Sequence, residues 1–135
     1  MALTLFLMSI GQAEEAMRFY VSIFPDAEIL DLERNDPVEP GEIGTVKSAT
    51  FRIDNLTLRC IDRPDVHDFG FTPAVSFFFD CRDEAIFDAL FDRPSDQGSV
   101  LMPPGRYPFA DKFAWLSDRY GVSWQLSVAP EQRTS

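Results

Sequence analysis

Apolar and polar positions change period along the chain, and the changes mark out its elements. Leu3 to Met8 is apolar, first alternating and then continuous, as expected of a strand. Ser9-Ile10-Gly11-Gln12 follows with the Ser-x-x-Gln spacing of a capping box. Ala13, Ala16, Met17, Tyr20 and Phe24 then recur at helical intervals, with Glu14, Glu15 and Arg18 on the other side. An amphipathic helix with one buried face is predicted, closed by Pro25-Asp26. Ala27 to Arg34 reads as a strand and Asn35 to Gly41 as a proline-dense surface loop. Thr45 to Ile53 and Leu56 to Ile61 read as a hairpin turning at Asp54-Asn55.

After a connector from Asp62 to Pro73 the cycle starts again. Ala74 to Phe79 is short and rich in β-formers. Asp83 is placed to cap a helix whose apolar stripe is Ile86, Phe87, Leu90 and Phe91, and Pro94 is expected to stop it. Gly98 to Met102 reads as a short strand, Pro103 to Pro108 as a loop, and Lys112 to Ser117 and Ser123 to Val128 as the last two strands. Asp118-Arg119-Tyr120-Gly121 joins them as a turn. Glu14-Glu15-Ala16-Met17 matches Asp83-Glu84-Ala85-Ile86 at the offset that also relates Pro25 to Pro94, which marks an internal repeat. The expectation is one α+β domain over residues 1–135, built from two βαβββ modules at 3–62 and 73–128.

Composition narrows the partners. At 135 residues the chain suits one domain that buries about two thirds of its unfolded surface. The formal charge of −10, from 22 acidic and 12 basic side chains with no basic run, opposes nucleic acid or an anionic membrane as partner. Cys60 and Cys81 lie in no C-x-x-C pair, so reduced, buried thiols are expected. The apolar start lacks a basic flank and a small-residue cleavage site, and no apolar run approaches the roughly 20 residues of a membrane span. A cytoplasmic location is expected on that basis.

Three stretches carry a family resemblance. They are Gly11 to Tyr20 with Phe24-Pro25-Asp26; His67-x-Phe69-x-Phe71 with Ala74 to Phe77; and Trp115 to Gln125, where an aspartate, aromatic and glycine turn leads into a tryptophan strand. In this order they resemble the vicinal oxygen chelate (glyoxalase/bleomycin-resistance) superfamily, in its PhnB-like or 3-demethylubiquinone-9 3-methyltransferase-like branch, over roughly Leu3 to Val128. The resemblance implies two βαβββ modules side by side, each sheet a half-barrel enclosing a cup-shaped pocket, and homodimers. Exposed strand edges would also favour a dimer.

Metal-dependent members of that superfamily place His or Glu on the first and last strands of each module. Here the corresponding strands offer Leu5, Phe6 and Leu7; Leu58, Arg59 and Cys60; Ala74 onward; and Gln125 in place of the last acidic ligand. No metal centre and no cofactor are therefore expected. His67, the only histidine, is a weak catalytic candidate in a polar connector, where a solvated histidine is the plainer reading. No Gly-x-Ser-x-Gly elbow accompanies the serines. Methyl transfer from S-adenosylmethionine in the common Rossmann-like manner would need a glycine-rich turn after a parallel strand, and Gly41 and Gly44 beside prolines do not form one.

What remains is a pocket for a small organic ligand. Phe6, Phe77, Trp115 and Trp124, with the polar Ser76 and Gln125, lie on strands that the resemblance directs partly into the cup. Many of the rings in this phenylalanine-rich chain serve a filled core equally well. Arg106, in the stretch Pro103 to Phe109, is a candidate to close over a ligand. The expected activity is thus metal-independent small-molecule binding, against the alternatives of a metal-dependent lyase, isomerase or dioxygenase, a methyltransferase, or a purely structural dimer.

Overall fold

A computed structural model describes residues 1–36, 43–63 and 69–129, and these form ten elements. Most of the loop expected at Asn35 to Gly41, and His67, lie outside the described residues. The chain divides into two compact units, Met1–Phe69 and Gly70–Ser135. Each unit has the same βαβββ order, as the internal repeat predicts.

The first unit holds β1 (Leu5–Ser9), α1 (Ala13–Ile23), β2 (Ala27–Arg34), β3 (Val46–Ile53) and β4 (Leu56–Asp62). Its sheet runs β1-β4-β3-β2, with β1 parallel to β4 and the other pairs antiparallel. Alternation along the strands sorts the side chains. Ala49, Phe51 and Ile53 of β3 and Leu58 and Cys60 of β4 are buried on one face, against Ala13, Ala16, Met17 and Tyr20 of α1. Each large apolar side chain buried here contributes about 1.5–3 kcal/mol relative to exposure. The other face carries Phe6, Met8, Thr50, Thr57, Arg59 and Ile61 and is not covered by α1.

The capping-box expectation is corrected. Gln12 is the N-cap residue and makes no side-chain capping bond. Asp62, from the end of β4, takes that role: Oδ1 accepts from Ala13 N at 2.9 Å and Oδ2 from Val46 N at 2.8 Å. One carboxylate thus ties a helix N-terminus, where negative charge is favoured, to two strands. Further along α1, Arg34 donates from Nε and Nη2 to Glu14 at 2.8 and 2.6 Å, and Arg18 adds a third bond. Led by Arg34, these hold the Glu14 carboxyl down at about 2.

The second unit holds β5 (Ser76–Cys81), α2 (Glu84–Ser95), β6 (Ser99–Tyr107), β7 (Ala110–Ser117) and β8 (Ser123–Val128), with sheet order β5-β8-β7-β6. Asp83 caps α2 as expected, accepting from Ile86 N at 2.9 Å. Two boundaries differ from expectation. α2 runs through Pro94 to Ser95, because a proline in the last turn removes only one hydrogen bond. The stretch Pro103 to Tyr107, expected as a loop, completes β6, whose pairing with β7 shifts register repeatedly. A strand at the sheet's edge tolerates prolines because half of its donors have no partner strand.

Both cysteines are free and buried. Burial pushes the Cys60 thiol up to about 11, with a contribution from Asp62, and the Cys81 thiol up to about 12. They are packing residues, protonated at neutral pH and poor nucleophiles.

Candidate functional site

In the second sheet, one face packs on α2. Trp124 and Leu126 of β8 and Ala114 and Leu116 of β7 are buried there with Phe87 and Leu90 of the helix, and Lys112 Nζ sits 5.0 Å from the Phe87 ring centroid. Phe77 and Trp124 belong to this covered face, their ring centroids 4.4 Å apart. Of the tentative ligand set, Trp124 is therefore core packing, and Phe77, half-buried, packs against it on the helix side of the sheet. Phe6 lies on the open face of the first sheet, 5.9 Å from the Arg59 guanidinium. Arg106 is exposed on β6, 3.8 Å from Asp111.

The open face of the second sheet gathers the remaining three, Ser76, Trp115 and Gln125, in two rows across the strands. The first row is Ser76, Ser123, Ser117 and Ser99, cross-strand partners in β5, β8, β7 and β6. The second is Phe78, Gln125, Trp115 and Met102, in the same strand order. Ser76 Oγ and Ser123 Oγ are hydrogen-bonded at 2.6 Å, and Trp115 Nε1 donates to Ser123 Oγ at 2.8 Å. Beyond the second row, Phe113 packs at 6.2 Å from Phe78, 5.6 Å from Tyr107 and 4.8 Å from Phe109, the last two edge to face. Phe78 is 54% exposed. Trp115 and Gln125 are half-buried.

The register that aligns these rows is held at the β7–β8 turn. Asp118 is buried, and its Oδ1 accepts from Tyr120 N at 2.9 Å and Val122 N at 3.0 Å while Oδ2 accepts from Trp124 Nε1 at 2.9 Å. Gly121 completes the turn at φ +88°, where a side chain would be strained. The aspartate, aromatic and glycine pattern of the sequence therefore has a structural reason. It closes the hairpin that carries Trp115 and Gln125.

Sequence reasoning missed Phe78, Phe113, Ser123 and Met102 as open-face residues. Part of the signal was available: in Ser123-Trp124-Gln125-Leu126-Ser127 strict alternation already puts Trp124 and Gln125 on opposite faces. Which of the two faces meets a helix depends on the packing of α2.

The donor set does not fit the metal of the wider superfamily. Open-face positions on β1, β4, β5 and β8 are Phe6 and Met8; Thr57, Arg59 and Ile61; Ser76, Phe78 and Asp80; and Ser123, Gln125 and Ser127. Taken sheet by sheet, the first face offers neither carboxylate nor imidazole and the second a single carboxylate, Asp80, among hydroxyls and an amide, so each is a weak set for a transition metal. Among the described residues no three His, Cys, Asp or Glu side chains come together.

Two βαβββ units, each an open four-stranded mixed sheet with a helix on one face, make this a protein of the glyoxalase/bleomycin-resistance fold. The structure is similar to PA1353 from Pseudomonas aeruginosa (22% identity, 96% of this chain and 98% of that one, TM-score 0.80). It is also similar to a glyoxylase/bleomycin resistance protein/dioxygenase domain from Frankia (14% identity, 98% and 95%, TM-score 0.67). At those identities the likeness is one of fold. A PhnB protein from Bacillus cereus that bears a 3-demethylubiquinone-9 3-methyltransferase name is 47% identical, over 96% of this chain and 100% of that one, with a TM-score of 0.92. Residues 1–127 match the family described as 3-demethylubiquinone-9 3-methyltransferase, and the chain belongs to that family, within the vicinal oxygen chelate superfamily. No curated protein matches the chain.

Proposed function

We propose that this protein binds a small aromatic compound on the open face of its second sheet, without a metal ion. The observation that carries the reading is the row Phe78, Gln125, Trp115 and Met102, which sets apolar surface and a single amide side by side on a face that α2 leaves uncovered. Ligand sites are mostly apolar with a few placed polar groups, and this row has that composition. The names of the family and of the Bacillus cereus relative speak of methyl transfer. This chain has no glycine-rich turn for a nucleotide-like methyl donor, so binding is the activity its residues support. A metal-dependent lyase, isomerase or dioxygenase would require ligands that the open faces do not offer.

The protein is further proposed to act as a homodimer in the cytoplasm. Apolar side chains left exposed on the edge strands, Leu30 of β2 and Val100 and Leu101 of β6, support self-association. No helix among the described residues is long and apolar enough to cross a membrane.

The test is equilibrium dialysis of chelator-treated protein against 2-ethylnaphthalene. Saturable binding is expected without added metal, weakened about three- to tenfold in Trp115→Ala through loss of the ring contact. Absence of saturable binding would sink the reading. Binding that returned only with zinc, nickel, manganese or iron would replace it with the metal-dependent one.

A further inference from the structure

We infer that Ser76 offers an outward hydroxyl donor on the open face of the second sheet, and that with the Gln125 amide it selects aromatic ligands bearing a neutral carbonyl oxygen. This deepens the aromatic-binding reading above and rests on it. The argument is an accounting of hydrogens. An indole N–H can only donate, so the 2.8 Å bond from Trp115 Nε1 makes Ser123 Oγ an acceptor. Ser123 is 1% exposed, and its own hydroxyl hydrogen needs an acceptor within the protein. Among the described residues the only side-chain acceptor bonded to it is Ser76 Oγ, at 2.6 Å. Ser123 therefore donates to Ser76.

The direction of that bond fixes what Ser76 has left. Its oxygen accepts from Ser123, it makes no other side-chain hydrogen bond among the described residues, and it is half-buried at the start of the edge strand β5. Its hydrogen is free for a ligand. Trp115 to Ser123 to Ser76 runs donor to acceptor in a single sense, and each bond polarises the next, strengthening the terminal donor. Gln125 stands one row along, the cross-strand partner of Phe78 and Trp115, and its amide makes no hydrogen bond among the described residues. A ring lying on Phe78 and Trp115 would bring an attached oxygen within the span of both groups. Net charge decides between oxygen types: with −10 on the chain and Asp80 two residues beyond Phe78 on the same face, a carboxylate is repelled and a ketone oxygen is not.

The test compares 2-acetylnaphthalene with 2-ethylnaphthalene, which has nearly the same shape and no acceptor, on the full chain. In the wild type the ketone is expected to bind the tighter. Ser76→Ala should weaken the ketone about five- to tenfold more than it weakens 2-ethylnaphthalene, and be rescued by Ser76→Thr. A second readout needs no variant: the carbonyl stretch of bound 2-acetylnaphthalene should move to lower frequency than in hydrocarbon solvent, as donation to its oxygen requires. Should Ser76→Ala fail to fold, that stretch decides alone. Equal binding of the two naphthalenes, or an unshifted stretch, overturns the assignment to Ser76 while leaving aromatic binding intact. Failure of both compounds to bind the wild type overturns the binding reading itself and this inference with it.

Discussion

Asp118 shows how much a single side chain decides here. Its two carboxylate oxygens accept three hydrogen bonds in a site that is 4% exposed. An asparagine keeps one acceptor and turns a second donor toward one of the N–H groups, so a buried donor loses its partner. Asp118→Asn should lower stability by about 2–3 kcal/mol, read as a lower urea midpoint with an unchanged slope. A loss under about 0.5 kcal/mol would mean that backbone pairing of β7 and β8 suffices to hold the turn. At this scale the sequence was a partial guide. Asp118-Arg119-Tyr120-Gly121 is readable as a turn, but that the Trp124 indole also bonds to the carboxylate depends on a ring reaching back from β8. Likewise Ser76 and Ser123 are 47 residues apart, and no local pattern marks them as partners.

Among elements, the end of α2 carries backbone strain. Asp96 is its C-cap, and Gln97 follows in the left-handed region at φ 63°, the position that helices usually give to glycine. Gln97→Gly should raise stability by about 0.5–1 kcal/mol in thermal or denaturant unfolding, since it removes the cost of a side chain at positive φ. Gly98 next to it is the opposite case: an added Cβ would lie 2.2 Å from the Ser117 carbonyl oxygen of β7, so Gly98→Ala should be strongly destabilising. If both substitutions prove neutral, the helix end is not held as described. Element types were legible throughout because helical and strand periods differ so clearly in this chain. The misread cap and the misread stretch Pro103 to Tyr107 share one cause. The local signals at Ser9-x-x-Gln12 and Pro103-Pro104 do not specify what stands beside them, and Asp62 and the edge position of β6 decide otherwise.

For the whole molecule, self-association is the property most open to measurement. Sedimentation equilibrium at micromolar concentration should give twice the 15.3 kDa of one chain. A monomer mass would remove the homodimer proposal without touching ligand binding, which uses residues of one sheet only. The sequence by itself determined the α+β class, the duplicated βαβββ order, the acidic character and the two buried thiols, because periodicity and composition are local or additive. The lone histidine, and Gln125 on the last strand where the resemblance calls for an acidic residue, also limit the metal ligands that folding can bring together. Only the tertiary structure decided which face of each strand a helix covers, which put Phe77 and Trp124 on the helix side and left Phe78, Trp115 and Gln125 on the open one. Alternation gives two faces, and it takes the packing of α2 against one of them to tell core from site.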